Sequence, residues 1–333
     1  MHFLLTGGSG FVGGNLARVL VERGHTVTAL VRKTSNRTGL EKLGVRFAVA
    51  DLRNGDGLDE ALVGVDVVEH VAGVTKARTE AEYVAGNADG TRKLCEAMAR
   101  MKTPPRLVFC SSLAAAGPAA VGQPREELQA EAPVSMYGRS KLAAELVVRQ
   151  FADRIPSVIL RPPIVYGPGD TVNLPPLMAM GRLGVYLKAG LGPRHFSFIH
   201  VDDLVEALYR AATEGKTLSA QKPSEGIYFV TDPVQYTWQE FCTALSHAMG
   251  KRKPRVISLP ARVGHWVGMG NEIIGRIRGD VPILSRDKAL EMTFEAWTCS
   301  GALAEKDFAF KATHGLESGL RHSIKWYRAE GLL

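Results

Sequence analysis

Cysteine is scarce: the 333 residues hold four, Cys95, Cys110, Cys242 and Cys299, with no Cys-x-x-Cys pair. That excludes a disulfide framework and a cysteine-built zinc site. Cys110 falls in an apolar run and reads as a small buried residue. The nine histidines show no His-Glu-x-x-His or related ligand spacing, so no metal is expected. Long apolar runs are missing too. None reaches the roughly 18 residues needed to cross a bilayer. The opening Met1-His2-Phe3-Leu4-Leu5-Thr6 meets glycines too soon for a signal peptide. A soluble, cytoplasmic protein is expected. Charge is not concentrated either. The net charge is +7, yet only Lys251-Arg252-Lys253 forms a tight basic run. A solvated surface with a phosphate-binding patch fits this better than a nucleic-acid interface.

What is present is alternation. Residues 2–5 read as an apolar strand, 11–23 as a helix ended by Gly24, and 26–31 as a β-branched strand. Strands follow at 45–50, 65–71, 107–110 and 157–160, with long helices at 79–101 and 136–152. This predicts an α/β fold, a doubly wound parallel Rossmann sheet covered on both faces. After Arg161-Pro162-Pro163 the pattern breaks up, and 233–333 carries all four tryptophans. We expect a cofactor domain of 1–167 and about 200–232. A smaller, mostly helical substrate lobe of about 168–199 and 233–333 sits at the carboxyl ends of the strands.

Three elements carry chemistry. The first is Thr6-Gly7-Gly8-Ser9-Gly10-Phe11-Val12-Gly13, between the first strand and the first helix. Gly7, Gly10 and Gly13 suit a tight turn, a close approach to a pyrophosphate and close helix packing. The helix N-terminus adds free N–H groups and partial positive charge. An NAD enzyme usually places a carboxylate about 20 residues later. Here Arg32 and Lys33 stand at that strand end, and a cation there suits a 2′-phosphate. NADP(H) is therefore preferred, with NAD(H) as the alternative. Asp51 is placed for the adenine edge, or simply forms a turn. The second element is Tyr137-Gly138-Arg139-Ser140-Lys141. On a helix Tyr137 and Lys141 share a face. The ammonium is expected to lower the phenol toward neutrality and make a usable proton donor and acceptor. The third is Ser111-Ser112 at a strand end, where Ser112 can reach a substrate oxygen or only cap a helix.

Together these resemble the extended short-chain dehydrogenase/reductase family. The resemblance runs through Asp51-Leu52, His70-Val71-Ala72, Asn87-x-x-Gly90-Thr91, Leu160-Arg161-Pro162…Tyr166-Gly167-Pro168-Gly169, Phe198-Ile199-His200-Val201-Asp202-Asp203 and Trp326-Tyr327. It implies that Tyr137 is the general acid/base and that Lys141 also binds the nicotinamide ribose. It implies that Ser112 positions the reacting oxygen and that Asn87 supports the site. It also implies that Phe11, Val12, Leu52, Val71, Ala72, Ser111, Pro162 and Pro163 help to line the cofactor. Val31-Arg32 is similar to the dihydroflavonol-reductase and 3β-hydroxysteroid-dehydrogenase-like members. Sugar-active members carry an Arg four residues before the His of the His-Val-x-Asp element, and here that position is Phe196. Arg194, two residues earlier, is not relied on as its substitute. Ala115-Ala116 replaces their Val-Tyr.

The expectation is an NADP(H)-dependent oxidoreductase interconverting a ketone and a secondary alcohol on an apolar small molecule: sterol-, lipid- or flavonoid-like. Leu174, Leu177, Met178, Trp266 and Ile273 are expected to line its pocket. A nucleotide-sugar epimerase/dehydratase is the alternative enzyme, and a non-catalytic cofactor-binding scaffold or sensor the alternative class. A homodimer is expected through helices 79–101 and 136–152. Segment 261–278 reads as a lobe helix or, alternatively, as a peripheral membrane contact. Glu69, in the fourth strand, needs a partner or a raised pKa.

Overall fold

The computed structural model describes residues 1–219, 221–222, 224–260 and 286–333. Segment 261–278, with Trp266 and Ile273, lies outside the described residues. The first six strands are β1 (His2–Thr6), β2 (Thr26–Val31), β3 (Arg46–Val49), β4 (Val67–His70), β5 (Arg106–Cys110) and β6 (Ser157–Arg161). With the edge strand Ile227–Phe229 they form one seven-stranded sheet. Its order is Ile227–Phe229, β6, β5, β4, β1, β2, β3, and every pairing is parallel. The chain runs outward from β1 to β2 and β3, then crosses back to β4. That reversal opens a crevice at the carboxyl ends of β1 and β4, where such sheets bind ligands.

Successive side chains of a strand face opposite ways, so the sheet has two cores. Phe3 and Leu5 join Leu16, Leu20, Leu204 and Leu208 under helices Phe11–Glu22 and Val201–Thr213. Leu4, Val68 and Leu107 join Leu94, Met98 and Val148 under helices Gly90–Arg100 and Met136–Gln150.

The lobe has a third core. Leu174 and Met178 are buried there with Tyr186, Phe198 and Phe241, and Leu177 packs against them. This corrects their expected place on a substrate pocket: helix Leu174–Arg182 turns its apolar side to its own lobe. A second correction concerns 302–310. Ala304, Phe308 and Phe310 belong to the sheet core that holds Phe3 and Leu5, at the edge strand Ile227–Phe229, and not to the lobe. The ring of Phe308 meets Tyr228 edge-on at 5.0 Å, and the Tyr228 hydroxyl donates to Asp307 at 3.0 Å. The expected helix 79–101 is also not uniform. It runs as Glu80–Val84, a π-turn at Ala85–Asp89, and Gly90–Arg100.

Glu69 sits between Leu5 and Val108 in the sheet and is fully buried. Among the described residues neither carboxyl oxygen has a hydrogen-bond partner. Burial raises its pKa well above the usual carboxylate range, against the weaker pull of Arg106. Burial thus favours the neutral acid, the raised-pKa alternative of the two the sequence left open.

Candidate active site

The glycine turn forms because its backbone has no room for side chains. Gly7 has φ +73°, and a Cβ there would stand 2.7 Å from the Ala72 nitrogen. A Cβ on Gly13 would stand 2.7 Å from the Gly7 carbonyl carbon. The Gly10 N–H donates to Gly7 O at 2.9 Å, and Gly10 caps helix Phe11–Glu22 without a side chain. Backbone N–H groups therefore meet the crevice directly, the cradle a pyrophosphate needs. The residues present fit a dinucleotide. Phe11, Val12, Val71 and Ala72 are half-buried around this turn, and Pro162 and Pro163 are buried after β6.

Arg32 and Lys33 are exposed at the end of β2. Arg32 adds to the positive field at Asp51, after the larger effect of Arg53. Asp51 accepts from the Arg53 backbone at 2.9 Å and pairs with its guanidinium at 2.5 Å, holding the carboxyl down at about 2. Asp51 thus builds the turn after β3, with half-buried Leu52 beside it.

Ser112 follows β5 and caps the short helix Leu113–Ala116, accepting from Ala114 N–H at 3.1 Å. Tyr137 lies in the first turn of helix Met136–Gln150, with the Ser112 side chain near enough to favour its ionisation. Lys141, 4% exposed, donates to Cys110 O at 2.8 Å and lies 4.3 Å from the centre of the Phe109 ring. The expected lowering of the Tyr137 phenol is not found. Burial of the hydroxyl pushes it upward, and the Ser112 side chain opposes this only partly. Lys141 has its own desolvation to bear: burial brings its ammonium down to about 8, with Glu145 acting the other way. Ser111 is not turned to the crevice. Its hydroxyl donates to Glu145 at 2.6 Å, and Glu145 is clamped by Arg161 at 2.5 Å with both side chains buried.

Asn87 is buried in the π-turn, a helix distortion common at functional sites. It donates to Val74 O at 3.0 Å and to Ser140 Oγ at 2.9 Å, and accepts from Val74 N–H at 2.7 Å. Ser140 in turn donates to the Tyr137 carbonyl at 2.8 Å.

Sequence reasoning missed what supports Asn87. Thr6 Oγ1 and His70 Nδ1 are 2.7 Å apart, His70 Nε2 and Thr91 Oγ1 are 2.9 Å apart, and Thr91 donates to Asn87 O at 2.6 Å. Thr6 also accepts from Ala72 N–H at 3.1 Å. One proton arrangement satisfies all of these: Thr6 donates to Nδ1, and Nε2–H donates to Thr91. Burial lowers His70 to about 3, which keeps it neutral for that role. Also missed was Asp287, whose carboxylate accepts from Met136 N–H at 2.6 Å and Tyr137 N–H at 3.2 Å. Glu291 accepts from Ser135 at 2.7 Å. No local signal marks them, because both reach helix Met136–Gln150 from far along the chain. The fold also gathers His200, Asp202, His314 and His322, which spacing along the chain could not show.

Phe196 packs against Phe198 at 6.1 Å and Trp238 at 5.9 Å. With Tyr137 it borders one apolar cluster of Leu113, Ala114, Ala116, Phe229 and Trp297. Arg194 faces elsewhere: its Nε donates to Ala189 O at 2.9 Å and its Nη1 lies 3.6 Å from Glu295.

Residues 3–223 match the NAD dependent epimerase/dehydratase family. A ceramide reductase of Caulobacter vibrioides is 32% identical over 339 residues, covering 99% of this chain and 95% of that protein. The 4-hydroxy-2-methyl-3-oxo-4-farnesyl-3,4-dihydroquinoline-1-oxide ketoreductase of Stigmatella aurantiaca is 32% identical over 257 residues, 75% of this chain and 74% of that one. The crystal structure of gox2253 superposes with a TM-score of 0.79 at 28% identity, covering 99% of each chain. With its parallel sheet, glycine cradle and Ser–Tyr–Lys cluster, the chain belongs to the NAD-dependent epimerase/dehydratase family of extended short-chain dehydrogenase/reductases, and is an NAD(P)-dependent enzyme of oxidoreductase type.

Proposed function

We propose that this enzyme uses NADPH to reduce a ketone to a secondary alcohol on a long-chain, largely apolar substrate of the keto-lipid class. The observation that carries this reading is the apolar wall shared by Tyr137 and Phe196. A nucleotide diphosphate set against it would lose its hydration without a cation to replace it. An acyl or prenyl chain would gain from the same burial. The names of the two relatives support this reading, one a ceramide reductase and the other a ketoreductase acting on a farnesylated ring.

The Ser112 side chain lies near the Tyr137 phenol, so a carbonyl oxygen placed between the two hydroxyls would receive two donors. The bound nicotinamide supplies the hydride. Tyr137 then gives its proton to the new alkoxide. Its raised phenol is fully protonated at neutral pH, the state that reduction consumes. Lys141 holds positive charge beside the Cys110 carbonyl and would hold the nicotinamide ribose of a bound cofactor. Arg32 and Lys33 take the 2′-phosphate.

The test presents long-chain 3-keto lipids and UDP-sugars separately to enzyme and NADPH. The keto lipid consumes NADPH mole for mole with alcohol formed, and Tyr137→Phe lowers the rate at least about 100-fold. Conversion of a UDP-sugar with no net change at the nicotinamide band would put the epimerase reading in its place.

A further inference from the structure

Beside helix Phe11–Glu22, whose Arg18 reaches Asp202 at 3.1 Å, three imidazoles and a carboxylate meet. His200 ends the strand Phe198–His200, and Asp202 opens helix Val201–Thr213. His314 precedes, and His322 lies on, the helix Leu316–Ala329. Each offers one ligand atom, and these atoms all lie within 4.8 Å of one another. We propose that His200, Asp202, His314 and His322 form a structural site for a divalent transition metal, zinc foremost, that ties the cofactor domain to the last helix of the lobe.

Three observations carry it. The first is spacing. Asp202 Oδ2 lies 3.5 Å from His200 Nδ1 and 3.5 Å from His322 Nδ1. Tetrahedral zinc with bonds of about 2.1 Å sets its ligands about 3.4 Å apart, so the carboxylate stands at metal-binding separation from both imidazoles. The second is the set of outer contacts. Asp202 Oδ1 is held by Arg18 at 3.1 Å, which leaves Oδ2 facing the rings. His314 Nδ1 lies 3.3 Å from Asp203 Oδ2, the carboxylate support usual behind a ligating imidazole, and this frees its other nitrogen. The third is His200 itself. It is fully buried, with its Nδ1 turned to Asp202. Among the described residues that nitrogen has one long hydrogen bond, from the Asp202 N–H at 3.3 Å. A buried polar ring with so little to hold it needs an explanation.

The ring planes are already close: His314 stacks on His200 at 4.2 Å and His322 at 5.2 Å. Drawing all four atoms onto one ion requires the outer two rings to rotate. Those are the two with freedom to do so, their side chains being 26% and 46% exposed. Imidazole with carboxylate suits zinc, and four protein ligands leave no open position, so the ion would be structural rather than catalytic.

The test uses the full chain without an affinity tag, treated with a chelator and then titrated with Co2+ as a visible probe of zinc sites. One equivalent per chain should give a ligand-field absorption that Zn2+ abolishes, and Zn2+ should raise the melting temperature. His314→Ala and His322→Ala, singly and together, should weaken binding at least about 100-fold. Their NADPH binding and ketone reduction should stay intact, showing that the fold survives. No saturable signal, or a signal untouched by both substitutions, would overturn the proposal.

Discussion

Lys141 carries a charge that burial opposes, and that tension sets a pH limit. Its ammonium is brought down to about 8. A lysine with a lowered pKa loses its proton as pH rises through that value, so kcat/KM should fall above about pH 8. Lys141→Arg, charged throughout, should remove that alkaline limb even if the rate is lower; a limb that stays would assign it to another group. Glu69 poses the converse case. Its pKa is raised in the fold above the ordinary 4.5. The folded state therefore binds the proton more tightly, and stability falls as pH rises from about 4.5 toward the folded value. Glu69→Met should flatten this trend and raise stability by about 1–3 kcal/mol, since it removes a buried polar group that has no hydrogen-bond partner among the described residues. Urea unfolding at several pH values checks both. At Arg32 the prediction concerns cofactor choice. Arg32→Ala should erase much of the preference for NADPH over NADH in direct titration, and tighter NADH binding by the unaltered enzyme would sink the idea.

The elements legible in the sequence were those whose signal is local. β2 is found at its expected bounds, and β1, β5 and β6 each gain one residue. The glycine turn was legible because Gly7 and Gly13 are demanded by neighbours that any strand–turn–helix unit places there. The π-turn was not. Apolar spacing reads 79–101 as one helix, and nothing in it signals that Asn87 needs an extra residue per turn to reach Val74 and Ser140 together. The Thr6–His70–Thr91 chain was likewise hidden, since its members come from three elements. The phenol shift was misjudged for a physical reason: the sequence shows that a lysine is near, but not how deeply the hydroxyl is buried. Asp287 defines the element-scale test. Asp287→Ala removes an acceptor for two N–H groups at the start of helix Met136–Gln150, which carries the proposed proton donor Tyr137. It should cost about 1 kcal/mol of stability and lower kcat more than it changes cofactor affinity.

At the scale of the molecule, helix Met136–Gln150 leaves Leu146 48% exposed and Leu142 half-buried on its outer side. We expect this side to pair with its copy in a homodimer, and Leu146→Arg to yield a species of one chain mass by light scattering. A wild-type chain that stays at one mass on dilution refutes the pairing. Among the described residues no helix is long and apolar enough to cross a membrane. The return of residues 302–310 to the sheet has a consequence for synthesis. Ala304, Phe308 and Phe310 cover the same face as Phe3 and Leu5. The ribosome releases β1 through β6 long before it releases these residues, so one face of the nascent sheet stays partly bare in the meantime. A nascent chain in that state is open to misassociation, and a chain stopped before Ala302 would keep that liability.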